Sequence, residues 1–287
     1  MRSTLFVWMQ HLLPQRLFGR IVRSAAESRR PLIKSTLIRW FSRQYQVDLA
    51  DAKITDLQSY ASFNEFFTRA LRQGARPIAA GDTTLIAPAD GRVTEFGTAA
   101  EGDALQAKGM PYRIDELLGT PPESVDLSTL GDFVTIYLAP YDYHRVHAPM
   151  SGKLLGVRYF PGRRYSVNAV TARAIPRLFC RNERLVAWLD TEIGPVAVVL
   201  VGALNVAGLS TAWQGAVRGG APRYWDGREL TREAVTRGME IGRFNLGSTV
   251  IVVLPSGCVR WDESVRAEQT VRMGARLGSV TAGIAVA

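Results

Sequence analysis

The chain has 287 residues, of which 47% are hydrophobic and 21% are charged. This composition excludes an intrinsically disordered protein, and no uninterrupted apolar run reaches the roughly 18 residues of a membrane-spanning helix. The formal net charge is +9, and the two cysteines, Cys180 and Cys258, are too few for a disulfide framework or a four-thiolate zinc site. We therefore expect a globular protein of a reducing compartment.

The N-terminal segment carries nearly all of the net positive charge. Residues 1–45 contain nine arginines and lysines but one acidic residue, Glu27. Large apolar residues recur there with roughly helical spacing, broken at Pro14. This pattern is typical of helices that lie on an anionic membrane surface, although a helix packed on the protein's own core and a nucleic-acid-binding arm are alternatives. We expect residues 1–60 to form a basic, amphipathic helical portion.

Residues 61–287 have the pattern of a mostly β catalytic domain, so the predicted fold class is α+β. The domain opens with a capping box, Ser62-Phe63-Asn64-Glu65, which predicts a helix that runs to about Arg72. Three runs rich in β-branched residues, 133–138, 196–201 and 249–254, then predict buried strands.

A short internal echo predicts two related turns. The sequence Ala-Pro-x-[Asp/Ser]-Gly-basic-aliphatic occurs at residues 87–93 and again at residues 148–154. Each copy is turn chemistry that leads into a strand. The echo predicts two similar β-hairpins packed face to face, as in the half-barrels of lipoyl or biotinyl domains, although chance similarity of two turns is an equal alternative.

Two of the three histidines, His144 and His147, lie together directly after a predicted strand. Three interpretations compete. They could be two metal ligands with Asp142 or Asp90 as a third, they could be structural histidines of a turn, or they could be acid–base catalysts oriented by a carboxylate.

The acid–base interpretation requires a nucleophile, and the strongest candidate is Ser248. Gly247 and Ser248 directly precede a β-branched run, and a glycine before the serine leaves its own carbonyl unshielded. Taken alone, Gly-Ser before a strand is common and is usually structural.

Read together, these segments resemble the phosphatidylserine decarboxylase family, whose motifs occur here in the family's order over roughly residues 60–255. The matching segments are Ser62-Phe63-Asn64-Glu65-Phe66-Phe67-Thr68-Arg69, Pro88-Ala89-Asp90-Gly91, Tyr143-His144-Arg145-Val146-His147, Phe160-Pro161-Gly162 with Ser166-Val167-Asn168, Asn182-Glu183-Arg184, Val201-Gly202-Ala203 and Leu246-Gly247-Ser248-Thr249. Any one motif is weak evidence, but the ordered set is specific.

The resemblance implies a precursor that cleaves itself between Gly247 and Ser248. Asp90 would orient the imidazole of His147, and His147 would take the proton of the Ser248 hydroxyl, which attacks the Gly247 carbonyl. The resulting ester would lose the α-hydrogen of residue 248 to leave dehydroalanine, which hydrolyses to a pyruvoyl group and ammonia. The pieces 1–247 and 248–287 would remain together as a heterodimer, with further dimerisation left open.

The resemblance also implies the reaction and its remaining site residues. Phosphatidylserine would form a Schiff base with the pyruvoyl group at position 248 and lose carbon dioxide, giving phosphatidylethanolamine. We assign His144 to proton delivery at the α-carbon and Ser166 to binding of the headgroup. The cofactor would be the pyruvoyl group alone, with neither pyridoxal phosphate nor metal, since none of the four lysines lies in a recognisable pyridoxal-phosphate motif.

The implied substrate lies in an anionic membrane, which agrees with the basic N-terminal segment. We expect a peripheral protein on the cytoplasmic face of the cell membrane that does not bind nucleic acid. Two other functions remain open from the residues: a serine hydrolase that uses Asp90, His147 and Ser248 without self-cleavage, and a non-catalytic carrier or membrane-binding module built on the internal echo.

Overall fold

The computed structural model describes residues 15–99, 102–105, 110–203, 208–217, 219–231, 233–245 and 248–281. The predicted helical break at Pro14 lies outside these residues. Two helices come first, α1 (Gln15–Glu27) and α2 (Pro31–Tyr45). Proline suits the first turn of α2 because that turn needs no N–H donor, and the helix ends at Tyr45, where the next residue, Gln46, has a φ of 50°. No helix among the described residues is long and apolar enough to cross a membrane.

The remaining helices are short and lie between strands. They are α3 (Phe63–Phe67), α4 (Ile114–Leu118), α5 (Ala169–Ala172), α6 (Leu178–Arg181) and α7 (Gly227–Leu230), with a 3₁₀ turn at Leu127–Thr129. The strands are β1 (Thr84–Ile86), β2 (Gly91–Thr98), β3 (Asp103–Leu105), β4 (Pro111–Arg113), β5 (Leu130–Leu138), β6 (Arg145–His147), β7 (Lys153–Phe160), β8 (Arg184–Thr191), β9 (Gly194–Gly202), β10 (Leu209–Thr211), β11 (Gly215–Val217), β12 (Arg223–Asp226), β13 (Glu240–Phe244), β14 (Ser248–Pro255), β15 (Val259–Trp261), β16 (Thr270–Val271) and β17 (Arg276–Val280).

An antiparallel sheet of eight strands, in the order β12-β7-β8-β9-β14-β5-β2-β16, forms the centre of the protein. The three predicted buried strands are confirmed as β5, β9 and β14, and they are neighbours in this sheet. Their near-continuous apolar sequences fit burial on both faces. A second sheet, β11-β10-β13-β6, carries the histidine motif beside it. A mostly β domain that follows N-terminal helices confirms the α+β class.

The helices α1 to α3 share an aromatic cluster of their own. Its buried members are Ala26, Ile38, Phe41, Tyr60, Phe63, Phe66 and Phe67. The capping box is confirmed, because the Glu65 N–H donates to Ser62 Oγ at 3.1 Å and the Glu65 carboxylate reaches back to the Ala61 N–H.

The predicted end of α3 at Arg72 is wrong, since the helix ends at Phe67. The next residues are taken by tertiary contacts that a helix would not allow. The Lys53 N–H donates to the Ala70 carbonyl at 2.8 Å, and the Arg72 N–H donates to the Asp51 carbonyl at 2.9 Å.

The two echoed turns lead into strands at symmetric places in the central sheet. The strands that follow them, β2 and β7, are each second from an edge. Both glycines face backbone at close range: a Cβ would lie 3.1 Å from the Tyr137 carbonyl carbon at Gly91 and 2.6 Å from the Asp190 oxygen at Gly152. Face-to-face packing of two half-barrel hairpins stays a prediction.

Candidate active site

The two histidines lie beside the segment that leads to Ser248. Strand β6 pairs antiparallel with β13, and the Phe244 N–H donates to the His144 carbonyl at 3.0 Å. The His147 N–H donates to the Pro88 carbonyl at 2.8 Å, which joins the histidine motif to the turn that contains Asp90. Backbone pairing therefore brings together three motifs that are far apart in the sequence.

The ring of His147 has a partner on each nitrogen. Nδ1 lies 2.7 Å from the Gly238 carbonyl oxygen, which can only accept, so Nδ1 carries the proton. Nε2 is then an acceptor, and it lies 3.0 Å from the Tyr143 hydroxyl, which donates to it. Burial lowers the pKa of His147 below its ordinary value, although the Gly238 carbonyl and the Glu240 and Asp90 charges oppose this. The imidazole is therefore in the neutral form that a general base requires.

Asp90 does not hold the imidazole of His147 in this structure, contrary to the expected orienting contact. Its carboxylate accepts two hydrogen bonds from Arg76 Nε at 2.9 and 3.1 Å and one from Arg76 Nη2 at 2.6 Å, and the Met273 N–H adds another at 2.8 Å. A guanidinium binds a carboxylate more strongly than a neutral imidazole does, because the hydrogen bonds are bidentate and charge-assisted. The influence of Asp90 on His147 is here one of charge rather than contact.

His144 is fully buried and stacks on an aromatic ring of helix α3. The ring centroids of Phe67 and His144 are 4.0 Å apart, with an interplanar angle of 21°. Its Nε2 lies 3.4 Å from the Pro140 carbonyl oxygen. Burial, with a smaller contribution from Arg69, lowers the pKa of His144 to about 3. His144 is therefore neutral near physiological pH.

The turn between β5 and β6, which carries His144, is held by hydrogen bonds from two sides. Arg69 Nη2 donates to the carbonyls of Tyr141 and Asp142 at 2.9 and 3.3 Å. The Asp142 carboxylate accepts from the Ala139 N–H at 2.7 Å, and burial raises the pKa of Asp142 to about 6. The segment 62–69, which begins with the capping box and ends at Arg69, thus positions the turn that carries His144.

Ser248 opens strand β14 at the centre of the sheet. Its backbone is in register with Leu138 on one side and Gly202 on the other, and Leu138 directly precedes the turn that leads to His144. The Ser248 side chain and Gly247 lie outside what the structure describes. Just before the proposed cleavage point, the Asn245 N–H donates to the Gly208 carbonyl at 2.9 Å and anchors the chain.

Asn182 connects the proline–glycine loop to the strand beside Ser248. Its Nδ2 donates to the carbonyls of Tyr165 and Gly202, both at 2.8 Å, and its Oδ1 accepts from the Tyr165 N–H at 3.1 Å. Ser166 is half-buried in this loop, and its Oγ lies 3.5 Å from the Asn168 nitrogen, as in a turn. Its headgroup-binding role stays a prediction.

Sequence reasoning missed several residues that shape this site. Arg76, Tyr143, Gly238 and Phe67 all contact predicted catalytic residues. Tyr143 and Phe67 lie inside the recognised motifs, which is the one signal that could have identified them. Among the described residues, no group of three or more histidines, cysteines, aspartates or glutamates could hold a metal ion.

Comparison with known proteins gives consistent matches over nearly the whole chain. The family model described as phosphatidylserine decarboxylase matches residues 63–279, and a second model, described as PSD, matches residues 5–46. A phosphatidylserine decarboxylase proenzyme of Ectopseudomonas mendocina is 44% identical over 97% of this chain and 99% of its own length. A proenzyme of the same name from Hahella chejuensis is 43% identical over 98% of this chain and 95% of its own length. Another, from Pseudomonas aeruginosa, is 45% identical over 95% of this chain and 96% of its own length.

Proposed function

We propose that this chain, which belongs to the phosphatidylserine decarboxylase family, converts phosphatidylserine into phosphatidylethanolamine and carbon dioxide. The observation that carries this proposal is the placement of Ser248 at the start of a central strand, beside a turn and a short strand, β6, that hold the two buried, neutral histidines. The named relatives are proenzymes, which supports maturation by cleavage.

The precursor matures by breaking its own chain between Gly247 and Ser248. His147 takes the proton of the Ser248 hydroxyl through Nε2, which its tautomer leaves as the acceptor. The Tyr143 hydroxyl occupies Nε2 in this structure. For this step it must either move away from Nε2 or relay the proton from Ser248 to it. The Ser248 oxygen then attacks the Gly247 carbonyl and releases the amide nitrogen as an amine. Loss of the α-hydrogen of residue 248 expels the Gly247 carboxylate, and hydrolysis of the dehydroalanine releases ammonia and leaves the pyruvoyl group.

Strand pairing holds the two pieces together after cleavage. Strand β14, the first element of the piece 248–287, is hydrogen-bonded to β5 on one side and β9 on the other. Strands β16 and β17 of the same piece pair with β2 and β1 of the larger one. Separation would expose both edges of a fully buried strand, so the mature protein is a heterodimer of its own pieces.

The pyruvoyl carbonyl would bind the substrate amine and accept the electrons that remain when carbon dioxide leaves. This chain's own contribution to that step is His144. A substrate carboxylate beside the ring would raise the pKa of His144 from its low value and charge the imidazole. The charged ring then delivers a proton to the α-carbon. Phe67 on the face of the ring excludes water from this exchange.

The N-terminal helices bring the site to the membrane surface from the cytoplasmic side. On α2, the side chains of Leu32 and Trp40 are 83% and 57% exposed, and Arg39 and Arg43 lie on the same exposed helix. Exposed apolar residues among arginines favour the surface of an anionic bilayer.

Intact mass spectrometry of the denatured protein tests the proposal. We expect two species, of which the smaller consists of residues 248–287, is about a seventh of the total mass and begins with a ketone-reactive group. Decarboxylation of phosphatidylserine should accompany them. An intact chain of 31.6 kDa with decarboxylase activity would overturn the proposed origin of the cofactor. An intact chain whose Ser248 becomes acylated by a substrate would favour the serine hydrolase.

A further inference from the structure

Helix α1 contacts the catalytic domain at two points close to the proposed cleavage site. Gly19 faces the guanidinium of Arg164, where a Cβ would clash with Nη1. One turn further along, Arg23 lies over Gly208, where a Cβ would be 3.3 Å from Arg23 Nη2. Gly208 has a φ of +143° and accepts a hydrogen bond from the N–H of Asn245, two residues before Gly247. The N-terminal helix therefore places Arg23 beside Gly208, which is hydrogen-bonded to the segment that leads to Ser248.

The two arginines differ in how their charges are balanced. Arg164 donates from Nε to the Glu183 carboxylate at 2.6 Å, and that carboxylate is almost fully buried. Arg23 Nε is buried without a hydrogen-bond partner, and no ion pair within the described ranges involves Arg23. A buried, unpaired guanidinium nitrogen is costly, and an anionic ligand would remove that cost.

We propose that Arg23 binds the phosphodiester of the lipid substrate and so couples the membrane-facing helix to headgroup recognition. This inference rests on the proposed function above. A planar guanidinium suits phosphate oxygens, to which it can donate two parallel hydrogen bonds.

The phosphodiester is the better choice than the carboxylate of the same headgroup. The carboxylate must lose its charge as carbon dioxide departs, so an arginine held on it would stabilise the ground state and slow the reaction. The phosphodiester keeps its charge throughout the reaction, so its contact with Arg23 can hold the substrate in place at every step.

The test compares Arg23→Gln with Arg20→Gln, which removes the same charge from an exposed position on the same helix. Each mature variant is assayed with soluble dioctanoyl phosphatidylserine for KM and kcat. Binding of dioctanoyl phosphatidylethanolamine, which keeps the phosphodiester but lacks the carboxylate, is measured by calorimetry. Short-chain lipids below their micelle concentration separate headgroup recognition from attraction to a membrane.

We expect Arg23→Gln to raise both the KM and the dissociation constant of the ethanolamine lipid roughly ten- to a hundredfold, with little change in kcat, as for a lost charge-assisted hydrogen bond. Arg23→Lys should recover part of the affinity. Equal constants for Arg23→Gln and Arg20→Gln, a loss confined to the serine lipid, or no measurable ethanolamine-lipid binding by the unsubstituted protein would each overturn the proposal. Failure of the unsubstituted chain to cleave or decarboxylate would instead refute the proposed function, and the calorimetric comparison would still decide the role of Arg23.

Discussion

The aromatic ring of Phe67 stacks on the imidazole of His144, with 4.0 Å between the ring centroids. Phe67 belongs to the aromatic cluster of the N-terminal helices, whereas His144 belongs to the turn that follows β5. One wall of the candidate active site is thus supplied by α3, which packs against α1 and α2, and this contact helps to bury His144.

Phe67→Leu should alter decarboxylation while it spares self-cleavage. The smaller side chain opens space beside the imidazole, which raises the pKa of His144 and loosens the ring. We expect kcat to fall roughly tenfold because the ring is held less firmly. The alkaline limb of the rate profile should move to higher pH, because a proton donor with a higher pKa remains protonated up to a higher pH. Phe63→Leu, in the same cluster, is the control. An unchanged pH profile in Phe67→Leu would contradict the role given to this contact.

His144 should make the folded chain less stable in acid. The folded state keeps His144 neutral down to a pH of about 3, whereas the unfolded chain takes up a proton below about 6.5. Stability present above pH 6.5 is therefore lost as the pH falls toward 3, and we expect a loss of about 2 kcal/mol between pH 7 and 5 from this residue. Urea unfolding of the uncut Ser248→Ala chain, with and without His144→Asn, measures it. The same pH dependence in both chains would refute the expectation.

Tyr143→Phe should shift the pH dependence of self-cleavage. The Tyr143 hydroxyl donates to Nε2 of neutral His147, so its removal favours the protonated ring and raises the pKa of His147. Since cleavage needs the neutral ring, the acid limb should move to higher pH. Cleavage of precursor made by cell-free synthesis, followed on gels over a pH series, gives the profile. Tyr141→Phe, exposed in the same turn, should behave as the unsubstituted chain, and an identical shift there would argue against a specific contact.

Arg76→Gln should destabilise the protein strongly. Arg76 bridges Asp90 and Asp51, and its side chain is 9% exposed, so its loss leaves a buried Asp90 carboxylate unpaired. We expect the free energy of unfolding to fall by about 3–5 kcal/mol. Arg72→Gln removes a 60% exposed partner of the same Asp51 and should cost less than about 1 kcal/mol. Urea midpoints of the two variants in the Ser248→Ala background test this, and equal losses would contradict it.

Trp40→Ser should weaken attachment to anionic vesicles. Trp40 is 57% exposed on α2, and an indole ring gains free energy at a bilayer interface that a serine does not. Flotation with phosphatidylglycerol vesicles should show a reduced bound fraction, while turnover of soluble dioctanoyl phosphatidylserine stays normal. Tyr224→Ser, on exposed strand β12, is the control. Equal loss of binding in both variants would argue against α2 as the docking face.

The sequence by itself determined the α+β class, the three central strands, the capping box and the ordered motifs that identify the family. These features are local, since they depend on periodicity, turn chemistry and short segments whose order along the chain is visible. The tertiary structure alone decided which partner each predicted catalytic side chain contacts. Asp90 meets Arg76, and His147 meets Gly238 across 91 positions of the chain. A charged or polar group takes whichever partner gives the best geometry and charge, and folding determines which distant residues are within reach.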